Sequence, residues 1–444
     1  MPPRFGTDGL RGVANTELTP EIALALGRAA ARELEGGAFL TGNDTRRSGG
    51  MLQAAFAAGA DSEGRDVVDV GVIPTPGLAW LAAARQLPAA MISASHNPFS
   101  DNGIKLLGPG GTKLPIEVEV AIQGELDAGP GADTPGRAGE GVGVISSDKE
   151  AVSSYVDWLA GVVAGAVLPA GPVVVDCANG AASSVAPAVF ERLGIDCVLT
   201  HCAPEGTNIN AGCGSTHLGA LAAEVVRLGA PLGVAFDGDA DRMLAVDGAG
   251  NVVDGDHLLA LFAADMKRAG TLSGDSVVIT VMSNLGLRLA LEAGGIAFVE
   301  TPVGDRHVAD ALDAGGFVLG GEQSGHLIFH DHATTGDGIL TSLKLLELLG
   351  RAGRPLSELA AEAMHRLPQV LTNVPVSEPS RLAGCRPVWE VAEEVDAELG
   401  SGGRVLLRPS GTESCIRVMV EAESEETAAS FAGRIAEVVE RELG

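Results

Sequence analysis

Apolar positions along the chain alternate between two spacings. Short runs at 38–41, 67–72 and 89–93 are separated by Ala-rich stretches with helical spacing, which is the βαβ rhythm of a parallel sheet. The rhythm returns with predicted strands at 173–177, 195–200 and 232–236 and helices near 181–193 and 217–228. A third set has strands at 276–281, 296–301 and 317–320 and helices near 285–293 and 304–314. The first helix is bounded by an N-cap at Thr19, Pro20 in its first turn, the early acid Glu21, and a stop at Gly36 and Gly37. From about 368 the pattern changes to strands at 370–376, 404–407 and 415–420 among helices near 381–398 and 424–442, a small α+β domain. A Gly-, Ala-, Pro- and acid-rich stretch at 126–144 reads as a linker, and a second break falls near 353–367. The fold class is therefore α/β: three related α/β domains (1–145, 146–248 and 249–366) with mixed, mainly parallel sheets, followed by an α+β domain at 367–444.

Composition narrows the choice of partners. The 444 residues are 46% hydrophobic and 20% charged, which excludes a mainly disordered polymer, and with only 3% aromatics the cores must be filled by Ala, Val and Leu. Thirty basic against 58 acidic residues give a net charge of -28, which excludes general attraction to nucleic acid or anionic lipid. An anionic ligand would need a local basic pocket, and 25 of the 30 cations are Arg, suited to planar recognition of phosphate at fixed sites. The six cysteines form no C-x-x-C pair and the N-terminus shows no apolar signal region, so the expectation is a reduced, cytoplasmic protein. Residues 158–175 are uncharged, but Pro169, Pro172 and three glycines break them, so a helix end, a loop and a strand are expected instead of a membrane span.

Four segments carry chemistry. Ser93-Ala-Ser95-His96-Asn97-Pro98 follows a buried strand, at the end where open α/β sheets place ligands; Ser95 is a candidate nucleophile and His96 its candidate base, although the same residues also make an ordinary capped turn. Lys105 follows downstream and could steer phosphate oxygens or pass a proton, or be a surface cation. Asp237-Gly-Asp239-Ala-Asp241-Arg242 places three carboxylates within five residues, which repel unless a cation bridges them; on extended backbone all three would share one face. A calcium loop starting at Asp237 would need Gly sixth and Glu twelfth, where Arg242 and Gly248 stand, so Mg²⁺ fits better. Gly320-Gly-Glu322-Gln323-Ser324-Gly-His326 is a Gly-rich loop in which Glu322 and Ser324 suit sugar hydroxyls and His326 a supporting or proton-carrying role, against the alternative of a plain turn. Arg408-Pro-Ser410-Gly411-Thr412-Glu413, with Arg417 beyond, combines guanidinium, hydroxyls and free amides in an anion cradle, or in a hairpin with an exposed Arg. No Gly-Lys dipeptide occurs, which excludes a Walker A loop, and no H-E-x-x-H zinc motif is present.

Together these four loops resemble the signature of the α-D-phosphohexomutase superfamily, over the whole chain. Phe5-Gly-Thr-Asp-Gly-Leu-Arg11-Gly12, Thr280 to Leu287, Val303-Gly-Asp-Arg306 and Gln323 tighten the resemblance to the bacterial branch that acts on glucosamine phosphates. The resemblance implies four domains around a central cleft and interconversion of glucosamine 6-phosphate and glucosamine 1-phosphate, on the route to UDP-N-acetylglucosamine and cell-wall precursors. It implies a phosphorylated Ser95 that gives its phosphoryl group to the sugar, a sugar 1,6-bisphosphate that acts as intermediate and primer, and one Mg²⁺ per chain held by Asp237, Asp239, Asp241 and the phosphoserine. It places Arg11, Lys105 and His326 with Ser95 at the catalytic centre, Arg242, Glu322 and Ser324 on the sugar, and Arg408, Ser410, Gly411, Thr412 and Arg417 on the distal phosphate. A homodimer is implied too, with no nucleic-acid or membrane partner. Ser414-Cys415 departs from many relatives, which have a proline and an apolar residue there.

Overall fold

The structure is a computed structural model that describes residues 4, 9–128, 136–410 and 414–444. Its contacts divide the chain into two units, 1–281 with 296–361, and 282–295 with 362–444.

The first unit holds three sheets. The first runs in the order Leu10–Val13, Asp101–Leu107, Ala89–Ile92, Phe39–Asn43, Val67–Val72, Ile145–Ser147. Its last four strands are parallel, while Asp101–Leu107 turns back antiparallel to Ala89–Ile92. The second sheet centres on Val173–Asp176, parallel to both Cys197–Thr200 and Leu232–Phe236, with Met243–Asp247 and Val252–Val253 added antiparallel. In the third, Ser276–Thr280 lies parallel to Ala297–Thr301 and Leu319–Gly321, and Leu327–Phe329 closes antiparallel. The expected α/β class holds, with mixed and mainly parallel sheets.

Local chemistry explains most boundaries. Helix Pro20–Glu33 opens on Thr19, whose Oγ1 accepts from Ile22 N, and proline fills the first turn, where no N–H is missed. This helix crosses Gly49–Ser62 closely because both carry glycine at the contact: a Cβ on Gly27 would lie 2.1 Å from Phe56 O, and one on Gly59 2.1 Å from Leu24 O. The core beneath is Leu, Ala, Val and Ile with the edge-to-face pair Phe39 and Phe56, as a low aromatic content requires. The uncharged stretch at 158–175 contains the end of helix Ala151–Val162, a loop, and the start of strand Val173–Asp176. Among the described residues no helix is long and apolar enough to cross a membrane.

Some elements escaped the periodicity. Strands Leu10–Val13 and Asp101–Leu107 carry polar side chains required by the site, which hides their alternation. Helix Ile116–Asp127 runs into the expected linker at 126–144, and the break near 353–367 contains the helix Leu356–Ala363, pinned by buried Leu356 and Ala360.

The second unit is an antiparallel sheet of Gln369–Pro375, Cys415–Glu421 and Arg404–Pro409, with Cys415–Glu421 in the centre, covered by helices Arg386–Leu399 and Glu425–Leu443. Helix Leu285–Ala293 belongs to this unit. Fully buried Glu421 accepts from Leu285 N at 2.9 Å, Asn284 Nδ2 at 3.1 Å and Arg404 Nε at 2.6 Å.

One buried acid ties distant parts of the first unit. Tyr155, the chain's single tyrosine, donates to Asp337 Oδ2 at 2.6 Å, and Asp337 Oδ1 caps helix Gly338–Ala352 through Leu340 N at 2.9 Å. Burial raises the Asp337 carboxyl from 3.8 to about 6. The stabilising contribution of its neutral form is therefore present below pH 3.8 and lost as pH rises through about 6. Asp337→Asn does not titrate; its Oδ1 can still accept from Leu340 N while its Nδ2 donates to Tyr155 Oη. Urea unfolding of parent and variant from acid to neutral pH should show the difference shifting toward the variant by about 3 kcal/mol; a pH-independent difference contradicts the assignment.

Candidate active site

Ser95 lies in the loop after the buried strand Ala89–Ile92, 1% exposed, in the left-handed region at φ 50°. A serine rarely adopts that conformation unless its surroundings hold it there. Here Ser93 Oγ accepts from Ser95 N at 2.9 Å and donates to Asp44 Oδ2 at 2.7 Å. Arg46, fully buried against Asp44, then reaches four carbonyls of the same loop: Ser95 O at 2.7 Å, Asn97 O at 2.8 Å, Asp101 O at 3.0 Å, and Pro98 O. Asn210 Nδ2 donates to Ser95 O at 2.9 Å from the other side.

The loop aims the serine at the acidic cluster. Ser95 Oγ donates to Asp237 Oδ2 at 2.6 Å and stands 3.2 Å from His96 Nδ1. Asp237, Asp239 and Asp241 are all buried, with ligand oxygens within 4.8 Å of one another. They converge through a tight turn, closed by Ala240 N to Asp237 O at 3.1 Å with Ala240 at φ 56°, and not along extended backbone as the i, i+2, i+4 pattern suggested. Burial, then the charges of Asp241 and Asp239, pushes Asp237 well above the ordinary carboxylate range. Burial opposes ionisation of Asp241 as well, but Lys105, His326 and Arg242 outweigh it and hold Asp241 well below that range.

Three clustered carboxylates fit a hard dication. Asp239 Oδ1 and Asp241 Oδ1 are buried and accept no hydrogen bond among the described residues, although Arg242 Nε lies 3.7 Å from the latter, so both oxygens could serve a metal. Their companion oxygens are occupied: Thr75 Oγ1 donates to Asp239 Oδ2 at 2.6 Å, and Lys105 Nζ lies 3.4 Å from Asp239 Oδ2 and 3.6 Å from Asp241 Oδ2.

A cavity of about 180 Å³ opens beside this centre, lined by Arg11, Ser95, Asp241, Arg242, Glu322 and His326 together with 303–305. Arg11 reaches it from strand Leu10–Val13, in register with Gly103, and Lys105 comes from the same strand as Gly103. Burial, then the charges of Arg242 and Arg11, lowers His96 to about 4, so its imidazole is neutral at physiological pH. Glu322 Oε1 accepts from Gly304 N at 3.0 Å, and Ser324 Oγ lies 3.5 Å from Glu322 Oε2. His326 sits deeper: Nε2 accepts from Gly336 N at 3.0 Å, leaving Nδ1 to face Asp241 Oδ2 at 3.6 Å.

In the second unit Arg408 and Arg417 are direct cross-strand partners. Burial, then the charge of Arg417, lowers the Arg408 pKa, and two like charges held opposite each other call for an anion. Ser410 N donates to Cys415 O at 2.9 Å. Gly411 and Thr412 lie outside the described residues.

The structure thus brings Ser95, Arg11, Lys105, Arg242, Glu322, Ser324, His326 and the three aspartates together in one unit, and Arg408, Ser410 and Arg417 in the other. Asp44, Thr75 and Asn210 carry no sequence signal of a role at the site, and the fold is what shows Arg46 holding the Ser95 loop. Their partners lie far off in the chain, so no local spacing marks them.

Comparison with known proteins gives a consistent result. Family models described as phosphoglucomutase/phosphomannomutase match in order: alpha/beta/alpha domain I at 2–130, domain II at 154–250, domain III at 254–367 and the C-terminal domain at 371–438. A phosphoglucosamine mutase of Mycolicibacterium vanbaalenii is 50% identical over 442 residues, covering 98% of each chain. One from Saccharopolyspora erythraea is 52% identical over 449 residues with the same coverage. Among solved structures, a phosphoglucomutase/phosphomannomutase family protein from Burkholderia thailandensis superposes with a TM-score of 0.84 at 26% identity, covering 100% of this chain and 99% of that one. The N-acetylphosphoglucosamine mutase of Aspergillus fumigatus, in complex with GlcNAc-6P and magnesium, shares the fold at a TM-score of 0.70 and 20% identity, covering 99% of this chain and 96% of that one.

Removing the Arg46 guanidinium leaves Asp44 uncompensated in the core and takes one donor from each of four carbonyls of the Ser95 loop, of which Ser95 O and Asn97 O keep Asn210. Arg46→Met should therefore lower stability by about 3–5 kcal/mol in urea unfolding. A loss under about 1 kcal/mol contradicts this role.

Proposed function

From the premise that the chain belongs to the phosphoglucomutase/phosphomannomutase family, we propose that it interconverts glucosamine 6-phosphate and glucosamine 1-phosphate through a phosphorylated Ser95. The observation that carries this reading is the 2.6 Å contact between Ser95 Oγ and Asp237, beside two further buried carboxylates with unshared oxygens. The choice of amino sugar rests on relatives 50% and 52% identical over nearly the full length.

Each side chain then has a task. The phosphoryl group passes from Ser95 to the free sugar oxygen, giving a 1,6-bisphosphate, and the opposite phosphate returns to the serine oxygen. His96, neutral and 3.2 Å from Ser95 Oγ, carries the one proton exchanged: from the attacking sugar hydroxyl to the serine oxygen as the phosphoryl group departs, and from the attacking serine to the departing sugar oxygen on its return. Arg11, Lys105 and Arg242 bring positive charge to the transferring group from strand and loop positions fixed by the fold. Glu322 and Ser324 bond sugar hydroxyls, with Glu322 oriented by Gly304 N, and His326 holds Asp241 in place. Asp237, Asp239 and Asp241 hold Mg²⁺, which when bound supplies compensation for charge on the phosphoryl oxygens. Arg408 and Arg417, paired across the second unit's hairpin, supply the positive charge that a phosphate group needs.

Four measurements test the scheme. Turnover compared on glucosamine, glucose and mannose phosphates, with Mg²⁺ and a trace of sugar 1,6-bisphosphate, should favour glucosamine; preference for a neutral sugar overturns the substrate assignment. Intact-mass analysis should show a fraction heavier by one phosphate that Ser95→Ala lacks, and persistence of that fraction in the variant contradicts the phosphoserine. Asp239→Asn removes one anionic ligand at constant volume and should lower turnover by at least about 100-fold with the melting temperature preserved. Undiminished turnover of the parent in excess chelator would rule out the metal.

A further inference from the structure

A second group of ligating side chains lies away from the catalytic carboxylates. Asp176 ends strand Val173–Asp176, His201 follows strand Cys197–Thr200, and Cys213 comes from the segment that also carries Asn210. One ligand atom from each lies within 4.8 Å of the other two, with Asp176 and Cys213 buried and His201 half-buried. We propose that Asp176, His201 and Cys213 form a binding site for a divalent transition metal of the zinc class, distinct from the magnesium site.

Geometry favours a shared cation over a simple ion pair. His201 Nδ1 approaches Asp176 Oδ2 to 3.0 Å, yet that nitrogen is buried and makes no hydrogen bond, so the two atoms are close without being aligned as donor and acceptor. Two ligands on one zinc ion, at bond lengths of about 2.0–2.3 Å, sit roughly 3–4 Å apart. The Cys213 sulfur is fully buried and its contact with Asn179 Nδ2 is long, at 4.0 Å. The carboxylate is already oriented: Ala178 N donates to Oδ1 at 2.8 Å and Gly214 N to Oδ2 at 3.0 Å, the outer support that metal-bound carboxylates carry. The half-buried His201 side gives an ion a way in.

Donor chemistry separates the two sites. Three carboxylates select a hard ion such as Mg²⁺, whereas an imidazole and a thiol, which gives up its proton on binding, select zinc, cobalt or nickel. The second site has a mechanical consequence as well. Asn210 N donates to Ala178 O at 2.9 Å while its side chain holds Ser95 O, so an ion joining residues 176, 201 and 213 braces the segment that supports the nucleophile.

The test uses the purified full chain titrated with Co²⁺ in a large excess of Mg²⁺, which keeps the aspartate cluster filled. The expected result is one equivalent of Co²⁺ bound with a sulfur-to-cobalt charge-transfer band. Cys213→Ser should abolish the band, His201→Ala should weaken Co²⁺ binding at least about tenfold, and Cys202→Ser should change neither. The proposal is overturned if the parent shows no such band, if the band survives Cys213→Ser, or if it is lost in Cys202→Ser. Should Cys213→Ser fail to fold, His201→Ala decides: its imidazole is partly exposed, and unchanged Co²⁺ affinity in that variant overturns the site.

Discussion

Three carboxylates buried together beside a serine hydroxyl are an unstable arrangement in a protein interior, and most of what surrounds them exists to make it tolerable. Taking charges out of water is costly, and like charges within a few ångströms add to that cost. The first unit answers with Lys105 between Asp239 and Asp241, His326 behind Asp241, Thr75 on Asp239 and Ser95 on Asp237. Two carboxylate oxygens are still left without a hydrogen bond among the described residues, and a hard cation is the partner that would complete them.

A second constraint is imposed on the serine. Its left-handed backbone is a conformation the chain would relax from if free, so it must be held by groups that cannot follow. Arg46 does this with a rigid planar fork reaching the carbonyl of Ser95 itself and those of residues that follow it, and Asp44 both neutralises that fork and fixes Ser93. The nucleophile is thus a point at which three parts of the sequence converge: the loop itself, the Asp44-Arg46 pair, and Asn210 from the loop that follows strand Cys197–Thr200.

Much of this was legible before any coordinates. The βαβ rhythm marked the three sheets because buried parallel strands read as apolar runs, and the change of rhythm near 368 marked the antiparallel tail. The acidic triplet announced itself because its repulsion has few structural excuses. What stayed hidden depends on long-range geometry. Strand Asp101–Leu107 carries Asn102 and Lys105 inward, so its pattern does not look like a strand, and Thr75 meets Asp239 only because the start of helix Thr75–Arg85 lies against the acidic loop. The pairing of Arg408 with Arg417 follows from the hairpin register, which a sequence does not state. His326 is expected in a supporting or proton-carrying role, and the fold adds what spacing could not state, that its Nδ1 faces Asp241.

The central claim is that the Ser95 oxygen carries a phosphoryl group to and from an amino-sugar phosphate at the aspartate cluster. The most direct measurement loads Ser95 with isotopically labelled phosphate and mixes the phosphoprotein rapidly with unlabelled glucosamine 6-phosphate, with Mg²⁺ or with chelator. The account predicts that label leaves the protein within one turnover and appears on the sugar when Mg²⁺ is present, and stays on Ser95 when it is not. Label that remains on the serine while sugar is isomerised, or that transfers equally well in chelator, contradicts it.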